Sequence, residues 1–250
     1  MNIIYGSRTD KGIKKPINQD RIINCIHTSG NHCLFLGGIF DGISSLKDSE
    51  YAAEYISDSF ENWFAGIKGW IDLEHVDDEI ICCHLLDVLE ETALYIYDER
   101  QSGVRNGGTT ASIILVIDCN YYIFHIGDSK VFLLRNQVVT QLTEDQKILG
   151  TVKGVTRYFL DNFIGKESEC QYLKYYGILE EGDTILYGSD GFFNKLSSQE
   201  LVLMNQEITD SKIATRVLEE YIEQVKAKGE TDNISVGLFK CTRDVESHII

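Results

Sequence analysis

Between residues 109 and 143 the chain runs through four apolar, strand-like segments with almost nothing between them. They are TTASIILVI (109–117), YYIFHIGD (121–128), KVFLLR (130–135) and QVVTQLT (137–143). Short turns at Asp118-Cys119-Asn120 and at Asn136 join them. A parallel crossover needs about a dozen residues or more, so links this short join antiparallel neighbours. That disfavours a parallel βαβ sheet.

The flanking segments complete the pattern. RIINCIHT (21–28) and HCLFLGGIF (32–40) surround the turn signal Ser29-Gly30-Asn31, which predicts a further hairpin. Helical spacing then takes over at Ala52, Tyr55, Ile56, Phe60, Trp63 and Phe64. A second helix is expected over about 78–100, with Ile81, Leu85, Val88, Leu89, Thr92 and Ile96 along one face, and 103–108 reads as a loop. Residues 144–170 carry little periodicity and are expected to be loop and short helix. DTILYGSDG (183–191) is a strand, and Ser197 with Glu200 makes a capping box that opens a short helix. Ile213, Val217, Leu218, Tyr221, Ile222 and Val225 define a long amphipathic helix ending near Gly229, and ISVGLFKC (234–241) is the last strand. Strands, two helices, strands, two helices and a strand fit an α+β fold, a sandwich with antiparallel sheets inside and helices outside.

The 250 residues contain one proline, Pro16, and no low-complexity stretch or repeat, so a single domain spanning 1–250 is expected. A net charge of −16 is the wrong sign for a general nucleic-acid binder or for an anionic membrane surface. The longest clean apolar run, about 111–117, is strand-sized and far short of a membrane span, and MNIIYGSRTD lacks the pattern of a signal peptide. Seven cysteines without a CxxC pair read as reduced thiols of a cytoplasmic protein. Cys82-Cys83-His84 has no second Cys/His cluster to complete a zinc site, so helix packing is its expected role.

Chemistry is expected at the strand ends. Asp20 closes Asn18-Gln19-Asp20, Asp41 follows GGIF, Asp128 follows HIG, Asp190 follows LYGS, and Asp232 sits in Thr231-Asp232-Asn233. Strand ends along one sheet edge converge in space, and carboxylates brought together repel unless hard divalent cations lie among them. Taken singly, each Asp-Gly pair is also an ordinary turn.

The ordered set carries more than its parts. TDKGIKKPINQDR, GGIFDG, GGTTASIILV, HIGDSKVFLLR, LTEDQ, LYGSDGFFNKLSSQEL and TDNISVGLF cover the chain from about residue 8 to 240. Together they resemble the metal-dependent serine/threonine protein phosphatases of the PPM family (type 2C). The resemblance implies an αββα sandwich and a centre of two or more manganese or magnesium ions. In it Asp41 would bridge the ions with the Gly42 carbonyl beside it, and Asp190 and Asp232 would hold one ion. Asp20 would hold metal or its waters, and Asp128 would bind an additional, weaker ion. The implied reaction is hydrolysis of phosphoserine or phosphothreonine in a protein substrate by a metal-activated water, opposing a Ser/Thr kinase. No Cys-x5-Arg loop exists, so a cysteine nucleophile is not expected.

Three positions depart from the family pattern. Lys15 stands where many members place a phosphate-binding arginine; it offers a point charge rather than a fork, or else is a solvated surface lysine. Gln19 replaces a glutamate found in some members. Asp41-Gly42-Ile43-Ser44-Ser45 lacks the histidine of Asp-Gly-His-Gly-Gly, which would act as a general acid. Gly150, Gly154 and Arg157 fall where the family carries a mobile flap. A phosphatase fold with weak or no turnover, serving as a regulatory or binding module, is the alternative, and an unrelated acidic scaffold with turn aspartates is a third.

Overall fold

A computed structural model describes residues 2–69, 71–152 and 154–242. In chain order the elements are β1 (Asn2–Asp10), β2 (Arg21–Ser29), β3 (His32–Phe40), α1 (Ser49–Ile67), α2 (Asp78–Gln101), β4 (Ala111–Ile117), β5 (Asn120–Ile126), β6 (Lys130–Arg135), β7 (Val138–Gln141), β8 (Lys147–Val152), β9 (Val155–Leu160), β10 (Leu173–Ile178), β11 (Thr184–Gly188), α3 (Asp190–Phe193), α4 (Ser198–Glu207), α5 (Ser211–Ala227) and β12 (Ile234–Thr242). One sheet has the order β1-β12-β11-β6-β7 and the other β10-β5-β4-β3-β2. Every pairing is antiparallel.

The turns follow from local chemistry. Ile117 pairs with Asn120 and Arg135 with Val138, so two residues make each turn. Asp118, Asn136 and Gln137 all adopt positive φ, as a tight hairpin between right-twisted strands demands. The Asp118 carboxylate also accepts from the Cys33 N–H at 2.8 Å, which ties this turn to the neighbouring hairpin.

Side-chain alternation builds three apolar layers. On β3, Leu34, Leu36 and Phe40 pack with Ile56, Phe60 and Phe64 of α1 and with Leu85 and Leu89 of α2. Its opposite face, with Phe35 and Ile39, meets Tyr187 of β11 and Phe239 of β12 between the two sheets. The outer face of β12, with Ile234, Val236 and Leu238, is covered by Val217, Leu218, Tyr221 and Ile222 of α5. Each fully buried side chain of this size contributes about 1.5–3 kcal/mol of transfer free energy. The sandwich of antiparallel sheets inside and helices outside that the element order suggests, and the αββα arrangement that the resemblance implies, are the observed architecture.

The region 144–170 corrects the sequence reading. Its described residues hold no helix; β8 and β9 form a separate two-stranded hairpin, with Gly150 opposite Arg157. Ile148, Leu149 and Tyr158 on it are all more than half exposed. A ribbon wetted on both faces has no reason to show apolar alternation, which is why its strands were invisible in the sequence. Gly150, Gly154 and Arg157 do lie together on this protruding hairpin.

Candidate metal centre

The aspartates converge, but from two sheets rather than from one sheet edge. Asp20 directly precedes β2 and Asp41 directly follows β3, and these ends are in register, with Arg21 opposite Phe40. Asp190 follows β11 and Asp232 precedes β12, in the other sheet. Asp128 lies in the link from β5 in the first sheet to β6 in the second. Stacking the sheets brings both sets of ends to the same rim.

Hydrogen bonds fix each loop. The Asp41 N–H donates to Thr110 Oγ1 at 3.0 Å, and Thr110 Oγ1 also contacts Ser129 Oγ at 2.8 Å, beside Asp128. The Thr110 N–H donates back to the Asp41 carbonyl at 2.9 Å. Gly42 N–H donates to the Gln19 carbonyl at 3.2 Å, and a Cβ at position 42 would lie 2.7 Å from that same oxygen. Only glycine permits this approach. Gln19 itself is buried, and its amide reaches the Glu50 carboxylate at 3.4 Å.

Asn233 is a residue that sequence reasoning passed over. Its Nδ2 donates to the carbonyls of Lys11 at 2.8 Å and Ile17 at 3.0 Å, and its Oδ1 accepts the Gln19 N–H at 3.0 Å. One side chain therefore clamps the 11–20 segment, which carries Lys15 and Asp20, onto the loop of Asp232. The available signal was its place in the Thr-Asp-Asn triplet. His125 plays a similar part under Asp128. It is fully buried, with Nδ1 2.8 Å from Ser112 Oγ and Nε2 near the Gly127 and Glu144 carbonyls.

The electrostatics mark the place where charge accumulates. Burial pushes the Asp41 carboxyl well above the usual carboxylate range, and Asp20, Asp190, Asp128 and Asp232 push it further. Burial also raises Asp20 to about 6, against the opposing Ser235 hydroxyl, and Asp232 and Asp190 add to it. Asp190 is raised to about 6 by burial and by Asp128, with Lys147 working the other way. Ser235 Oγ donates to Asp20 Oδ2 at 2.7 Å, while the buried Oδ1 has no hydrogen-bond partner.

Two lysines stand at this cluster. Lys15 Nζ is 2.6 Å from Asp232 Oδ1 and 2.6 Å from Ser44 Oγ. Lys147 Nζ is 2.7 Å from Asp128 Oδ2 and 3.8 Å from Asp190 Oδ2. Lys15 was a candidate from the sequence, and the structure brings it to the site. Lys147 was not a candidate, because nothing in its neighbourhood distinguishes it from other lysines.

The donor set suits a hard divalent cation. It offers only oxygen, and the buried Asp20 has one carboxylate oxygen without a hydrogen-bond partner, while Asp41, Asp128, Asp190 and Asp232 are partly open to solvent. Among the described residues no three His, Cys, Asp or Glu side chains close into a finished metal cage. The carboxylates act on one another without collapsing together.

The thiols stand apart from this chemistry. All seven cysteines are free. Cys82 is buried and Cys83 exposed, and both line a surface cleft on α2 with Leu86, Tyr122 and Lys174. Burial pushes Cys25 and Cys82 up to about 11 and Cys33 and Cys170 up to about 12, the opposite of what a nucleophilic thiol needs.

Comparisons with known proteins identify the family and the fold. The family model described as protein phosphatase 2C matches residues 12–229. Protein phosphatase PhpP of Streptococcus pneumoniae serotype 2 (strain D39 / NCTC 7466) is 26% identical over 251 residues, covering 92% of this chain and 94% of that protein. The serine/threonine phosphatase stp of Listeria monocytogenes serotype 4b (strain F2365) is 25% identical over 256 residues, covering 92% of each. In fold, the chain is similar to Stp1 from Staphylococcus aureus, with a TM-score of 0.80 at 15% identity over 97% of this chain and 96% of that one. It is also similar to the catalytic domain of the phosphatase PstP, solved in complex with 2 manganese ions, with a TM-score of 0.72 at 20% identity over 96% and 99% of the two chains. The chain belongs to the protein phosphatase 2C family and is a hydrolase of the serine/threonine protein phosphatase class.

Proposed function

We propose that this chain hydrolyses phosphoserine and phosphothreonine in protein substrates at a centre of two manganese or magnesium ions held by Asp20, Asp41, the Gly42 carbonyl, Asp190 and Asp232. The observation that carries this reading is the meeting of those carboxylates from both sheets in one oxygen-only cluster, where burial and neighbouring carboxylates raise the proton affinity of Asp20, Asp41 and Asp190. Such a cluster is unfavourable by itself and becomes favourable with divalent cations among its oxygens. When bound, the ions supply Lewis acidity toward the phosphoryl oxygens and acidify a water for in-line attack on phosphorus.

The chain's own groups do the rest. Ser235 holds Asp20 with Oδ1 left for a cation. Thr110 and the Gln19 carbonyl fix Asp41 and Gly42, and Asn233 fixes the loops of Asp20 and Asp232 against each other. Lys15, at the rim beside Asp232, supplies the charge that draws the substrate phosphate, in the role an arginine fills elsewhere. Ile43 sits beside the site with no proton to give, and His125 is buried in its own hydrogen bonds, so no histidine of this loop protonates the departing oxygen. An opposing Ser/Thr kinase would supply the substrate, and the site of action would be the cytoplasm. No helix among the described residues is long and apolar enough to cross a membrane.

A second reading, a binding module with little turnover, is favoured by Ile43 alone. Hydrolysis of phosphoserine and phosphothreonine peptides by stripped protein, with and without added manganese, separates the two. Manganese-dependent release of phosphate supports the enzyme, and its absence at full metal loading leaves the binding module.

A further inference from the structure

The sequence resemblance assigned Asp128 to an additional, weaker metal ion. The structure puts something else there. Lys147 Nζ lies 2.7 Å from Asp128 Oδ2, the carboxylate to which that ion was assigned, and 3.8 Å from Asp190 Oδ2. Asp145 is also 3.8 Å from Lys147, but Lys130 already neutralises it at 2.6 Å. The charge of Lys147 is thus directed to the Asp128 end of the cluster.

The placement is built into the backbone. Lys147 is the first residue of β8. The preceding Gln146 donates its N–H to the Gly127 carbonyl at 2.8 Å and accepts the Gly127 N–H at Oε1, 2.7 Å away. This reciprocal pair ties the start of β8 to the residue beside Asp128. The Asp161 N–H closes on the Gln146 carbonyl at 2.7 Å, fixing the end of β9 to the same point. Lys147 is therefore held by its main chain at the mouth of the carboxylate cluster, and its ammonium has a short path into it. A single lysine contact does not exclude an ion, since Lys15 also reaches Asp232; Lys147 differs in lying among three carboxylates, Asp128, Asp190 and Asp145, where a dication seeking the same oxygens would meet its ammonium at close range.

We propose that the Lys147 ammonium takes the place of the additional cation at Asp128, so that this chain binds two divalent ions and no third. The inference rests on the two-ion centre proposed above and extends it. It also links the β8/β9 hairpin to the centre: the residue that completes the charge balance is carried by the hairpin.

The test is metal stoichiometry, read by calorimetry and by manganese electron paramagnetic resonance on stripped protein titrated with manganese to millimolar concentration. The unmodified chain is expected to bind two ions. Lys147→Gln, which keeps the length and removes the charge, is expected to bind a third with at least ~10-fold gain over any residual binding, and adding Asp128→Asn to it should abolish that third site. Lys147→Arg keeps the charge and should stay at two, which controls for general disturbance of the hairpin. Asp128→Asn alone should also leave the count at two, so the idea remains testable even where Lys147→Gln folds poorly. A third ion in the unmodified chain that disappears with Asp128→Asn overturns this inference and leaves the two-ion centre standing. Two ions in Lys147→Gln would likewise overturn it. No manganese bound to the unmodified chain would overturn the two-ion centre itself, and this inference with it.

Discussion

Gly191→Ala measures how tightly the two ligand-bearing loops of the second sheet are spaced. A Cβ at position 191 would lie 2.1 Å from the carbonyl oxygen of Asn233, whereas ordinary contact begins at 3.4 Å. The obstacle is backbone, not the end of a flexible chain, and Asn233 is held in place by Gln19, Lys11 and Ile17. Gly191 follows Asp190 and Asn233 follows Asp232, so the missing ångström must come from moving the two carboxylates apart. Overpacking of this kind costs about 1–3 kcal/mol, or roughly 2–12 °C in Tm for a chain of this size. A displacement of about 1 Å among catalytic groups costs about 10²-fold in rate. The assay is manganese affinity by calorimetry, Tm, and kcat/KM on p-nitrophenyl phosphate, with Gly66→Ala as control. A Cβ at Gly66, within α1, meets nothing within 4 Å, so that variant should gain about 0.5–1 kcal/mol and lose no activity. If Gly191→Ala kept its manganese affinity and turnover within two-fold of the unmodified chain, the fixed spacing of Asp190 and Asp232 would be refuted.

Asp41→Asn, Asp190→Asn and Asp232→Asn should each lower turnover by on the order of 10²-fold or more, with circular dichroism unchanged; near-normal turnover of Asp41→Asn would remove it from the centre. The metal-free protein should be more stable at pH 5 than at pH 7.5. Asp20 and Asp190 titrate at about 6 when folded, above their unfolded value, so the stability they contribute is present at low pH and lost as pH rises through about 6. His125, whose proton affinity burial lowers, opposes this in part as pH falls through its unfolded value. Denaturant melts at the two pH values check the sign, and Asp41→Asn should flatten the difference. In a series of aryl phosphates the rate should fall steeply as leaving-group pKa rises, because Ile43 gives no proton; a flat series would reveal another acid. Cys82→Ser and Cys83→Ser should leave kcat/KM unchanged, and loss of activity in folded protein would revive a thiol role.

Local chemistry was the legible part of this chain. The end of β3 at Phe40, both ends of β6 and the Ser197–Glu200 capping box stand where the sequence placed them, because alternation and capping are properties of a few neighbouring residues. The aspartates were legible as strand-end residues. Their source in two stacked sheets was not, since the register of one sheet on the other is set by side chains such as Tyr187. Tyr187 is wholly buried against Gly37 and Gly237, and its hydroxyl donates to the Ile23 carbonyl of the other sheet at 3.2 Å. The β8/β9 hairpin was missed because exposure on both faces removes its pattern. Lys147 was missed with it, because its partners Asp128 and Asp190 are brought to it only by the fold. Asn233 shows the same limit: its partners at 11, 17 and 19 lie at the far end of the chain.

The most direct test of the account is phosphate release from a phosphothreonine peptide by protein stripped of metal and then titrated with manganese. Turnover should be absent in the stripped protein, rise with occupancy of two ions per chain, and vanish again on adding excess chelator. Asp41→Asn should fail to recover at any manganese concentration. Full turnover by protein verified to be free of metal, or no turnover with two ions bound, would contradict it.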